Sequence, residues 1–190
     1  MEIEVNAEAK DKRLNRLVAI TVVVFSVFMG ICNIKDGNLV QAMQQAKADS
    51  VDSWGEYQAT KTKLHIAETA RAEIAVLASG ADATGKRTAA ETIASLDADI
   101  AKYQGSAPKI KAQAEGYAAQ YDALNVHDDQ FDASDALIST AISMAAVAAL
   151  AESFGLLWGA WAFGAFGLFM GLSGFAKWGF HPDVLSNFLG

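Results

Sequence analysis

The sequence predicts an all-α membrane protein: three transmembrane helices with a long antiparallel α-helical hairpin outside the membrane. Three observations predict it. Hydrophobic residues make up 52% of the 190 positions and charged ones 19%, yet the two kinds are segregated along the chain. Residues 17–32 and 136–178 hold two charges, Glu152 and Lys177, whereas residues 35–135 hold ten Lys/Arg against sixteen Asp/Glu. Only two prolines occur, which leaves long stretches free to be helical. A chain of this length fits one membrane unit with one soluble extension.

Residues 1–16 form a mixed basic and acidic segment expected in the cytoplasm. The first span covers 17–33, around "LVAITVVVFSVFMGIC". Sixteen residues reach about 24 Å as a helix, enough to cross with flanking residues included. Lys10, Lys12, Arg13 and Arg16 precede it and place the amino terminus inside by the positive-inside rule. No small-x-small cleavage site follows, since the next residues are "NIKDGN", so an uncleaved anchor is expected.

Residues 34–134 are expected outside, in the periplasm. In the first leg, Leu39, Met43, Ala46, Trp54, Tyr57, Leu64, Ala67, Ile74 and Leu77 recur at helical spacing, a thin stripe interrupted by Ser50 and Lys61. "SGADATGK" marks the tip, about 79–87. Thr88 and Glu91 fit a capping box for the returning helix. "GSAP" predicts a break at about 105–108, with helix resuming through Pro108. Ile110, Ala114, Tyr117, Tyr121 and Leu124 carry the spacing onward.

The second span covers 135–152, moderately apolar and rich in Ala, and the third covers 155–178. Only "ESF" separates them, which demands a tight turn. Trp158 and Trp178 lie about 30 Å apart along a helix and suit two membrane-interface anchors. The tail is 179–190.

The stretches "KDGNLVQAMQQAKADSVDSWGEYQATKTKLHIAE" and "HDDQFDASDALISTAISMAAVAALAE" resemble the two best-marked regions of the Domain of Unknown Function 4337 family of small bacterial membrane proteins. The resemblance covers the first span with its arm and the last two spans. It implies the same architecture, and it implies no activity, substrate or catalytic residue.

Three constellations are candidates for function. Asp128, Asp132 and Asp135 fall at i, i+4 and i+7 and share a helix face. In an oligomer they form an acidic ring that attracts cations; the competing reading is a solvated helix start. Gly155 with Gly159, Ala160 with Gly164, and Gly167 with Gly171 show small-xxx-small spacing, which permits close helix approach in lipid. Glu152, beside the turn, suits the cytoplasmic interface better than a transport role. Ser139, Thr140 and Ser143 are expected to bond back to helix carbonyls.

Composition excludes several classes. The acidic middle repels phosphate backbones, which argues against nucleic acid. A single Cys excludes an intrachain disulfide and a Cys-based zinc site. No nucleophile triad, phosphate-cradling loop or catalytic carboxylate pair is present in the sequence, so no enzyme activity, cofactor or dedicated metal site is expected. The expected partners are the lipid bilayer, further copies of the same chain, and a larger membrane assembly in which it is a scaffold or accessory subunit. An oligomeric ion channel and a periplasmic sensor are the alternatives.

Overall fold

The computed structural model describes residues 12–179. Lys10, most of the amino-terminal segment and nearly all of the tail therefore lie outside the described residues. Three helices make up the rest: α1 Lys12–Ser79, α2 Ala83–Leu150 and α3 Phe154–Ala176. Each contains a segment long and apolar enough to cross a membrane. The chain divides into two compact units, Gln44–Asp122 and the remainder.

In the unit Gln44–Asp122, α1 turns inward Ala46, Ser50, Ser53, Tyr57, Thr60, Leu64 and Ala67, alternately four and three residues apart. This is the spacing of a two-helix seam. On α2, Ile93, Leu96, Ile100, Tyr103, Ala107, Ile110, Ala114, Tyr117 and Tyr121 repeat it. Small residues on one side thus meet larger ones on the other. The Ser50 hydroxyl donates to the Ala114 carbonyl at 3.2 Å. Lys47 lies over the Tyr121 ring, Gln104 donates to Glu68, and Arg71 pairs with Asp97. Residue numbers fall along α2 as they rise along α1. The Arg71 pair is half exposed and adds little stability; buried seam residues carry most of it.

Two sequence expectations change here. Ser50 belongs to the seam, where its hydroxyl is satisfied by a carbonyl of the facing helix. Leu77, expected on the stripe, is 74% exposed.

The break at 105–108 is also corrected, because α2 runs unbroken with Pro108 inside it. Proline removes the donor that the Gln104 carbonyl would accept from and ordinarily kinks or ends a helix. Here Ala107 and Ala114 are buried on either side of it, so packing outweighs the local preference. Gly105 has open space around it, and Ser106 bonds back to the Tyr103 carbonyl at 3.3 Å.

The tip is shorter than 79–87. Only residues 80–82 leave helical structure. Asp82 replaces the expected Thr88–Glu91 box as the cap: its carboxylate accepts the Gly85 N–H at 2.8 Å, satisfying one orphan donor of the first turn. Thr88 instead bonds back to the Thr84 carbonyl.

The other unit is a three-helix arrangement. Leu14 and Val18 of α1 share a buried cluster with Ala145 and Ala148 of α2 and Leu157 and Ala160 of α3. Phe25 meets Ile138 and Ala141, and Met170 meets Ala133 and Leu137. Between α2 and α3, Glu152 adopts φ 47° and the Ser153 N–H reaches back to the Ala148 carbonyl at 3.0 Å. This left-handed cap explains how three residues suffice for the turn. A similar cap at Lys177, φ 53°, ends α3.

Replacing fully buried Ala114 by Leu forces extra methyl groups into the seam. The expected loss is about 1–3 kcal/mol, read as a lower midpoint in thermal melting followed by circular dichroism. Ala112→Leu, on the exposed face of the same helix, is expected to stay within about 0.5 kcal/mol.

Candidate functional site: a carboxylate cluster beside a glycine-lined contact

The acidic residues predicted on one face of α2 do not act alone. Asp36, from α1, joins them. Its carboxyl lies beside that of Asp128 on the facing helix, with Asp132 and Asp135 near enough for their charges to act on the pair. Asp128 and Asp135 are half-buried, while Asp132 is exposed. One oxygen each of Asp36, Asp128 and Asp135 is buried without a hydrogen-bond partner.

The environment shifts Asp36, Asp128 and Asp132 toward their neutral forms. Burial, followed by the charges of Asp36 and Asp132, pushes Asp128 up to about 7. Asp36 is raised chiefly by burial, and Asp132, though its side chain reaches solvent, by partial loss of hydration and then by Asp36. Two carboxyls held this close repel when both are ionised, so part burial and like charge together favour the protonated form. Among the described residues no group of three His, Cys, Asp or Glu side chains is placed to hold a metal ion.

Asp36 was missed because "KDGN" reads as a polar exit from the first span. One signal would have found it. The inward positions Phe25, Phe28, Cys32, Leu39 and Met43 extrapolate through residue 36 at the same three-and-four spacing.

Gln130 and Ser134 sit within this stretch and are fully buried. The Gln130 amide donates to the Trp178 carbonyl at 2.9 Å and hydrogen-bonds His127 at 3.2 Å. The Ser134 hydroxyl donates to the Gly167 carbonyl at 2.8 Å. Both tie α2 to α3. At the other end of the unit the Trp161 indole donates to the Thr21 hydroxyl at 2.9 Å, tying α3 to α1.

The glycines of α3 make room for these contacts. A methyl group at Gly164 would overlap the Phe25 ring. One at Gly167 would come within 2.7 Å of Ile138, and one at Gly171 within 2.7 Å of Phe28 and 2.8 Å of Ser134. Gly159 faces the flexible end of Met144. Gly155 meets no other helix of this chain: it is exposed, and an added methyl would meet only Ser153 at 3.7 Å. Gly174, which the spacing did not single out, would clash with Phe131 at 2.8 Å. The small-residue spacing therefore serves contacts inside this chain.

Trp158 and Trp178 are 67% and 52% exposed, Trp158 near the start of α3 and Trp178 just past its end. Thr140 and Ser143 bond back to the Ala136 and Ser139 carbonyls at 2.8 and 2.9 Å, as expected, and Ser139 turns to Met29. Lys12, Arg13 and Arg16 are exposed on the first turns of α1. Glu152 is exposed in the turn, and Cys32 is buried.

These features define an all-helical protein with three helices long and apolar enough to span a membrane. Within that class the chain belongs to the family described as a domain of unknown function, DUF4337, whose model matches residues 14–177. Comparison with curated proteins and with solved structures found no match.

The cluster makes stability pH-dependent in a definite sense. Carboxyls raised above their unfolded value of about 3.9 bind more protons folded than unfolded. Their contribution is present at acid pH and is lost as pH rises through about 7 for Asp128. The melting midpoint of the native chain is expected to fall between mildly acid and mildly alkaline pH. In Asp128→Asn, which keeps the shape of the side chain beside Asp36 without its charge, that fall is expected to shrink; an unchanged pH profile would contradict the assignment.

Proposed function

We propose that this is a non-enzymatic, multi-pass protein of the bacterial inner membrane that self-associates as a scaffold or as an accessory subunit of a larger assembly. Its helices cross the bilayer three times, with the amino terminus in the cytoplasm. The unit Gln44–Asp122 stands in the periplasm as an antiparallel, coiled-coil-like α-hairpin.

Membrane crossing is supported by the outer faces of the three-helix unit. Ile20, Val23, Val24, Val27 and Ile31 of α1 and Phe163, Phe166, Phe169 and Leu172 of α3 are exposed, a belt of bulky apolar side chains that suits lipid. Orientation draws on the basic residues before the first apolar run. The hairpin reading draws on the opposed numbering of the cross-helix pairs.

The observation that carries self-association is the composition of the arm. Its α1 seam buries mostly Ala, Ser and Thr, while Val51, Ile66, Val76 and Leu77 remain exposed on the same helix. Two helices joined through so little apolar surface gain from neighbours that cover the rest.

A second reading, an oligomeric cation channel, draws on Asp36, Asp128 and Asp135, whose unpartnered oxygens attract positive charge. It is disfavoured by Thr140 and Ser143, whose hydroxyls bond to their own helix.

The mass of the detergent-solubilised full chain tests both readings. A multiple of the chain mass is expected. A monomer that retains full helicity overturns self-association and the channel alike.

A further inference from the structure

We infer that the end of the three-helix unit where α1 begins is a binding surface for a phospholipid with an anionic headgroup. The inference rests on the membrane-crossing reading above and adds a ligand to it.

The surface is built from two helices. Leu14, Leu17 and Val18 of α1 pack with Leu156, Leu157 and Ala160 of α3, and the Trp161–Thr21 hydrogen bond fixes their register one turn further along. With the inner face of α1 committed to that contact, Lys12, Arg13 and Arg16 are exposed on its outer face. Carried back one turn from Trp161, α3 presents Trp158, which is exposed and packed edge-on against Trp161 at 5.1 Å. The next turns of α1 expose Ile20, Val23, Val24 and Val27.

Along the α1 axis the surface therefore reads basic, then indole, then aliphatic. A phospholipid offers the complementary order: an anionic phosphate for the ammonium and guanidinium groups, an interfacial zone for the indole, and acyl chains for the aliphatic side chains. A free anion in water matches only the first part.

The opposite end of the same unit has the reverse character. Asp36, Asp128, Asp129, Asp132 and Asp135 gather there with Lys35 and Lys177, which disfavours an anionic headgroup. The chain thus distinguishes the two leaflets by lipid charge.

Titration of the purified full chain in neutral detergent with phosphatidylglycerol, and separately with phosphatidylcholine of matched acyl chains, reads the preference by native mass spectrometry. Phosphatidylglycerol is expected to bind more tightly, by about fivefold for each basic side chain engaged. The preference is expected to disappear in Lys12→Gln/Arg13→Gln/Arg16→Gln and to persist in Asp132→Asn. Equal binding of the two lipids, or a preference retained in the triple variant, overturns the inference, as does equal competition by inorganic phosphate. Should the triple variant fail to insert, the native chain decides: its preference must weaken toward molar salt, and a salt-insensitive preference contradicts the basic surface. Release of the chain from membranes by alkaline washing would instead sink the membrane-crossing reading itself.

Discussion

Close helix approach through small side chains is the constraint on which the three-helix unit depends. Ala141, Ala145 and Ala148 of α2 and Ala160, Gly164, Gly167, Gly171 and Gly174 of α3 are all buried. The glycines leave gaps that larger neighbours fill: Phe25 and Phe28 from α1, Phe131 and Ile138 from α2. Only at that separation does the Ser134 hydroxyl reach the Gly167 carbonyl, or the Trp161 indole reach Thr21. Under the membrane-crossing proposal apolar burial gives no driving force between helices, and such packing and hydrogen bonding supply the association. The unit Gln44–Asp122 obeys a related rule, with Ser50 and Ala114 close enough for a hydroxyl-to-carbonyl bond.

The same closeness creates the acidic cluster. Bringing α1 against α2 places Asp36 on Asp128 and removes part of their hydration. Like charges then favour neutralisation over separation. The outcome is a unit with two dissimilar ends, one carboxyl-rich and proton-holding, the other basic with an exposed indole. This asymmetry, more than any single residue, is what the chain has available for function.

Much of this was legible because apolar runs and helical spacing are local signals. The three helices, the short turn after Leu150 and the back-bonding of Thr140 and Ser143 follow from local chemistry. What was not legible depends on a neighbour. Pro108 signals a break, yet packing at Ala107 and Ala114 keeps α2 intact. Ser50 looks like an interruption until the Ala114 carbonyl is seen opposite it. Asp36 reads as solvent-facing until α2 arrives with Asp128. Gly155 and Gly174 exchange importance because only the folded chain shows which of them meets another helix.

The proposed membrane crossing puts the apolar helices in lipid and the unit Gln44–Asp122 in water. Depth measurement by spin labels tests it most directly. With Cys32 replaced by Ala, single cysteines at Val24 and Phe166 are expected to be shielded from a water-soluble relaxant and open to oxygen, with the reverse at Thr62 and Asp99. Equal access of the aqueous relaxant to Val24, Phe166 and Thr62 would contradict the account.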